Sequence, residues 1–163
     1  MKKLSLLAAA LVVATSACTK ASVPTAEGMP DIGLPAEALN TQIRVWSPDG
    51  KVLKINMPIS LAVQVVGSEE VIFPRDFGNR MFRYTDEGWV EVENVPTDWG
   101  EGFFLLSPSN GGPGDWTSTR VFPWFEQTDE PILLRVFVEG KVYRQDEMTD
   151  DPVGGYVDVT LKR

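Results

Sequence analysis

The sequence contains no histidine and only one cysteine among its 163 residues. Without histidine the chain has no Ser-His-Asp or Cys-His nucleophilic site, no imidazole proton transfer near neutral pH and no histidine-ligated zinc. One cysteine leaves no partner for a disulfide within the chain. Several common classes of enzyme and metal site are therefore excluded. A chain of this length can nevertheless bury one proper core without disulfides.

Positive charge is also scarce, because 15 lysines and arginines stand against 23 aspartates and glutamates, which gives a formal net charge of −8. Removing the first 17 residues, with their two lysines, changes this to 13 − 23 = −10. Such an acidic chain is repelled by nucleic-acid phosphates and by anionic lipid headgroups. We therefore expect no nucleic-acid partner.

The longest apolar run, 4–13, is about half of the roughly 20 residues that a membrane-spanning helix needs. It follows Lys2 and Lys3 and precedes the small residues Thr15, Ser16 and Ala17. A short positive segment, a short apolar segment and a small-residue cleavage site are typical of an export signal that is removed. The pattern predicts a signal peptide over 1–17.

Cys18 comes directly after these small residues. The segment resembles the lipobox of bacterial lipoproteins, in which the cysteine sulfur receives a diacylglycerol and the signal is cut just before it. The resemblance implies lipid attachment at Cys18 and a place in the cell envelope, either on the outer face of the cytoplasmic membrane or in the outer membrane. Thr15 departs from the aliphatic residue usual at that position, and the alternative is ordinary cleavage after Ala17 with a free thiol.

The next segment, 18–40, is rich in proline and glycine and shows no apolar periodicity. We expect it to be a flexible tether that holds the folded domain, 41–163, away from the membrane. In that domain, short segments with alternating apolar residues are separated by turn residues, most clearly over 59–66, 132–139 and 155–161. The second of these is expected to end at Gly140 and to place Arg135 and Glu139 on its solvent face.

About ten short strands at this spacing, each with one apolar face, predict an all-β fold of two packed sheets. The architecture resembles the immunoglobulin-like or fibronectin type III sandwiches of bacterial surface proteins. The expected fold is thus an antiparallel immunoglobulin-like β-sandwich.

Three tryptophans, Trp99, Trp116 and Trp124, lie near loops rich in glycine and proline. Exposed indole rings can stack on sugars or anchor a protein partner. Indoles are more often largely buried, and the favoured interpretation is that these three close the ends of the sandwich.

An acidic loop carries Asp146, Glu147, Asp150 and Asp151, whose oxygens are ligands of the kind that calcium prefers. The spacing does not match an EF-hand loop, so a solvated turn between the last two strands is favoured over a calcium site.

These features favour a non-enzymatic envelope lipoprotein that binds another protein or acts as a spacer, with no cofactor. Two alternatives stay open. One is a carbohydrate-binding module that uses the tryptophans. The other is an immunoglobulin-like proteinase inhibitor that offers the loop 107–115.

Overall fold

The computed structural model describes residues 27–95, 102–108, 114–126 and 128–163. The predicted signal peptide, the lipidation candidate Cys18 and Trp99 lie outside these ranges and stay predictions. Within them the protein is almost entirely β-structure, with one short 3-10 turn at Ala36–Ala38 and no α-helix in the described ranges.

Ten strands follow one another in the described part of the chain, and they confirm the predicted all-β class. They are β1 (Ile43–Trp46), β2 (Val52–Lys54), β3 (Ile59–Val65), β4 (Glu70–Pro74), β5 (Arg80–Thr85), β6 (Gly88–Val92), β7 (Phe103–Leu106), β8 (Trp116–Val121), β9 (Ile132–Arg144) and β10 (Glu147–Lys162).

The strands form two sheets of unequal size. The small sheet has the order β1-β3-β8 and is antiparallel throughout. The large sheet is built on the long β9–β10 hairpin. β4 and β5 pair with opposite halves of β9, and β2 adds to β10 as a parallel edge strand. β6 and β7 extend the large sheet from β5 and β4.

The core lies between the two sheets and follows from the period-two patterning of the strands. Alternate residues of β3, at 59, 61, 63 and 65, are fully buried, and those of β9 at 134, 136 and 138 meet them from the large sheet. Each fully buried aliphatic or aromatic side chain contributes about 1.5–3 kcal/mol. The alternation therefore fixes which face of each strand turns inward.

Gly140 does not end β9 as the sequence led us to expect. The strand runs through Gly140 to Arg144. The glycine allows close packing at this point and does not end the strand. A Cβ at this position would lie 2.7 Å from both the Ile72 carbonyl oxygen and the Phe73 ring. The β9–β10 hairpin is correspondingly long, and its tip carries Gln145 and Asp146.

Residues 27–40, which we call the N-terminal strap, lie on the outer face of the large sheet. Ile32 is 9% exposed there, and Leu34 and Leu39 pack against a second apolar cluster that includes Phe82 and Phe137. Leu39 also forms a parallel bridge with Gly154. The packed part of the chain thus begins before residue 41, because these isolated apolar side chains cover a sheet face that would otherwise be exposed.

Arg135 lies under this strap, so the expectation that it faces solvent is wrong. Its guanidinium forms a two-point ion pair with Asp158, at 2.7 and 2.8 Å, and donates a hydrogen bond to the Gly28 carbonyl oxygen. The rings of Trp89 and Tyr156 lie 4.5 and 4.4 Å from it. Burial alone would lower the pKa of Arg135, but the hydrogen bonds and charge of Asp158 outweigh it and the pKa is raised. Arg135 is therefore a charged buried anchor for the strap.

A second arginine also ties the strap to the sheet. Arg80 donates to the Ile32 carbonyl oxygen at 3.2 Å and pairs with Glu91 at 2.7 and 2.9 Å. The hydrogen bond from Arg80 lowers the pKa of Glu91 below its usual 4.5, and the positive charge acts in the same direction. Because the folded-state pKa lies below the unfolded value, this pair stabilises the fold above pH 4.5. The stabilisation is lost as the pH falls through the folded-state pKa.

We expect Glu91→Gln to reduce the free energy of unfolding at neutral pH by no more than about 0.5 kcal/mol, since the pair is largely exposed. The difference from the unsubstituted protein should shrink at acidic pH, as Glu91 takes up its proton. Urea unfolding at neutral and at acidic pH checks this. In an Arg80→Gln background the Glu91 substitution should have no effect at either pH, and an equal loss in both backgrounds would contradict the assignment.

Candidate functional site

Trp116 and Trp124 are both exposed, with 63% and 64% of their surface open to solvent. They do not close the ends of the sandwich, which corrects the favoured interpretation for these two. Trp116 begins β8, whereas Trp124 follows the end of that strand. Since the ends of a six-residue strand are about 17 Å apart, the two rings do not form one continuous platform.

The four acidic residues predicted as a weak calcium candidate do not converge. Asp151 pairs with Arg144 at 2.9 Å, and Asp150 pairs with Lys141 at 3.6 Å. Asp146 occupies the hairpin tip, and Glu147 begins β10. Among the residues that the structure describes, no three acidic side chains meet in a group able to hold a metal ion.

The loop 107–115 is described only at its two ends. Ser107 and Asp115 close its base, because the Asp115 amide donates to the Ser107 carbonyl oxygen and the Ser107 amide donates to the Asp115 carboxylate. The part that would have to enter a protease lies at 109–113, outside the described residues. The inhibitor alternative stays a prediction.

The best candidate for a binding surface is the outer side of the small sheet, which faces away from the core. Ile43, Val45 and the odd-numbered residues of β3 turn into the core, so the alternate residues of β1, β3 and β8 turn outward. The outward-facing residues are Arg44, Trp46, Ser60, Ala62, Gln64, Trp116, Ser118 and Arg120. We call this surface the open face.

Trp46 and Trp116 are the two aromatic residues of the open face. Trp46 lies in register with Ala62 on the central strand, and Ala62 lies in register with Ser118. Trp116 lies one two-residue step further along β8, opposite Gln64. The two tryptophan backbones are thus two strand spacings apart across the sheet and two residues apart along it, which gives a distance of about 12 Å. The two tryptophans therefore lie at diagonal corners of a surface, with Ala62 and Gln64 of the central strand between them.

A groove of about 800 Å³ occupies this surface. Its lining includes Trp46, Trp116, Ser60, Gln64 and Arg120. That volume falls within the range of small-molecule sites, which are concave and largely apolar with a few polar groups that orient the ligand. The groove thus offers two indole surfaces together with hydroxyl, amide and guanidinium donors.

The charge of the open face differs from that of the whole chain. Its outward-facing residues include Arg44 and Arg120 and no acid, although the chain carries a net charge of −8. Arg44 lies 5.4 Å from the centre of the Trp46 ring, a cation–π contact that keeps this positive charge beside the indole. Neither arginine forms an ion pair within the described ranges.

Sequence reasoning missed Trp46 as a candidate, although a signal was present. Ile43 and Val45 alternate with Arg44 and Trp46, so once the aliphatic pair turns inward the tryptophan must turn outward. A large aromatic residue on the polar side of a strand is a candidate binding residue for the same reason as a tryptophan near a loop. Trp116 was identified, but only the register across β3 brings it onto the same face as Trp46.

Within the described residues, no helix is both long and apolar enough to span a bilayer. No protein-family model matches this chain, and no curated protein sequence matches it at a significant level.

Proposed function

We propose that this chain is an envelope lipoprotein, held at a membrane by lipid on Cys18, whose non-catalytic β-sandwich serves as a binding module. The signal-like residues 1–17 and the lipobox-like position of Cys18 support the anchor. Two acyl chains on one cysteine give durable attachment, whereas a single chain binds a membrane only marginally. The protein would then act outside the cytoplasm.

The observation that carries this proposal is that the two outer faces of the sandwich differ. The strap, residues 27–40, covers the outer face of the large sheet, and the chain enters the fold there beside Trp89 and Arg135. The open face with Trp46 and Trp116 is on the other side of the core. A domain anchored through its strap would therefore keep its groove accessible to a partner.

We further infer that the sandwich is of the immunoglobulin-like type. In support, the chain passes repeatedly between the sheets: β1, β3 and β8 form the small sheet, and the intervening strands join the large one. Such crossing between layers is the usual connectivity of Greek-key sandwiches. The exposed groove favours a binding role over that of a passive spacer, because a spacer has no need of an uncovered indole such as that of Trp116.

The anchor is tested by Cys18→Ser. In cell fractionation, the unsubstituted protein should be recovered with membranes and released by detergent, and its mature N-terminus should carry acyl groups by mass spectrometry. The variant should move almost entirely to the soluble exported fraction. Thr15→Leu is the matched control. It brings the segment closer to the lipobox pattern and should leave membrane attachment unchanged or increased.

Recovery of the unsubstituted protein in the soluble exported fraction, with a free thiol on Cys18, would overturn the anchor. So would membrane retention of the Cys18→Ser variant, because attachment would then depend on something other than the lipid.

A further inference from the structure

We propose that the open face binds an acidic polysaccharide, whose sugar rings stack on Trp46 and Trp116 and whose carboxylates meet Arg120. The inference deepens the binding role proposed above and rests on it for its biological setting.

The two indoles supply the stacking surfaces. A pyranose ring has an apolar C–H face, which packs on the flat face of an aromatic ring while its hydroxyls stay at the edge. Trp116 is 63% exposed, so its ring is available without rearrangement. The separation of about 12 Å between the two backbones leaves room for a short run of linked sugars that touches both indoles.

The surface between the indoles suits a flat, hydroxyl-rich ligand. Ala62 and Ser118 are small and share one row across β3 and β8, so no bulky side chain separates the tryptophans at that point. Ser60, Ser118 and Gln64 bring hydroxyl and amide groups to the same lining. Neutral donors and acceptors of this kind match sugar hydroxyls, since each can both give and receive hydrogen bonds.

Charge distinguishes an acidic sugar chain from a neutral one. The strands of the open face turn two arginines and no acid outward in a chain with a net charge of −8, and the Asp49 carboxylate, from the turn after β1, accepts a hydrogen bond from the Ser60 amide beside them. A guanidinium binds a carboxylate through two parallel hydrogen bonds, and Arg120 lines the groove. Complementary charge also excludes wrong partners and speeds association.

The test measures binding of the full chain, purified in detergent, to galacturonate and glucuronate oligomers immobilised on an array. Two probes separate the contributions. The methyl-esterified oligomers keep the rings and linkages but lose the charge, and polyglutamate keeps carboxylates but has no sugar face. We expect binding to the acidic oligomers, at least about tenfold weaker binding to the esters, and none to polyglutamate.

Variants then locate the site. Trp46→Ala and Trp116→Ala should each weaken binding by about tenfold or more, and Arg120→Gln by about threefold to tenfold with a smaller dependence on salt. Trp124→Ala is the matched control, because it removes an equally exposed indole outside the groove and should change affinity less than about twofold. An unchanged urea midpoint shows that each variant still folds.

The proposal is overturned if neither oligomer binds, if the esters or polyglutamate bind as well as the acidic oligomers, or if Trp124→Ala weakens binding as much as Trp116→Ala. The Cys18→Ser protein should bind the oligomers like the unsubstituted chain. Loss of the anchor and loss of glycan binding are thus read out separately, and failure of one proposal is distinguishable from failure of the other.

Discussion

Replacing Arg135 with alanine is expected to lower the free energy of unfolding by about 2–4 kcal/mol. The reason is that a charged group only 7% exposed holds several neighbours together. Removal of the guanidinium leaves Asp158 without its two-point partner and removes the contacts of the cation with the rings of Trp89 and Tyr156. The aliphatic stem is lost as well, and a cavity remains beneath the strap.

The measurement is urea unfolding followed by intrinsic tryptophan fluorescence. Arg144→Ala is the matched control. That arginine pairs with Glu69 and Asp151, but it is half exposed, so its removal should lower the free energy of unfolding much less than the removal of Arg135. Equal losses for the two arginines would show that burial under the strap does not matter.

A double variant separates the charge from the packing. Arg135→Met with Asp158→Leu replaces the ion pair by apolar side chains of similar length. It should recover most of the stability that Arg135→Ala loses, because apolar replacements for buried ion pairs are often neutral or stabilising. Failure to recover would mean that the contacts of the guanidinium with the strap and with the rings of Trp89 and Tyr156, which the apolar pair does not replace, carry the interaction.

The strands were predictable because apolar residues alternate with polar ones along each strand that has one buried face. The strap was not, because Ile32, Leu34 and Leu39 are isolated among proline and glycine and show no period. One signal for it did exist. Leu133 and Phe137 are apolar on the face of β9 that should be polar, which indicates that the face is covered.

The candidate site was predictable only in part, for a similar reason. A single strand shows which side chains turn outward, and this applies to Trp46 as much as to Ser60 and Gln64. Bringing Trp46 and Trp116 onto one surface depends on pairing between segments about 70 residues apart, and on which strand lies between them. No local pattern contains that register. In the acidic loop, Asp151 pairs with Arg144 and Asp150 pairs with Lys141, so the four carboxylates do not meet at one point.

Phe77 shows a further limit of local patterns, since a turn residue contributes one of the largest fully buried side chains. It follows β4 in the turn that leads to β5. Its ring centre lies 5.3 Å from those of Phe73 and Phe104, and its carbonyl oxygen accepts a hydrogen bond from the Glu139 amide. Its φ of 60° is in the left-handed region, which costs about 1–2 kcal/mol for a residue with a Cβ. Burial of the ring offsets that cost.

Phe77→Ala is therefore expected to lower the free energy of unfolding by about 3–5 kcal/mol, through loss of the ring and the cavity left behind. Phe77→Gly loses the same ring but removes the unfavourable left-handed backbone, and it should be about 1 kcal/mol more stable than the alanine variant. Urea unfolding of both variants measures the difference.

Phe73 provides the matched comparison, because its ring is equally buried but its backbone lies in the regular strand β4. There the order should reverse, with Phe73→Gly about 0.5–1 kcal/mol less stable than Phe73→Ala, since glycine loses more freedom in a strand. The same order at both positions would show that the backbone of Phe77 is not strained. Opposite orders would show that burial of the Phe77 ring stabilises a backbone conformation that phenylalanine otherwise disfavours. Because Phe77 lies in a turn, the alternation of apolar residues within strands did not reveal that it belongs to the core.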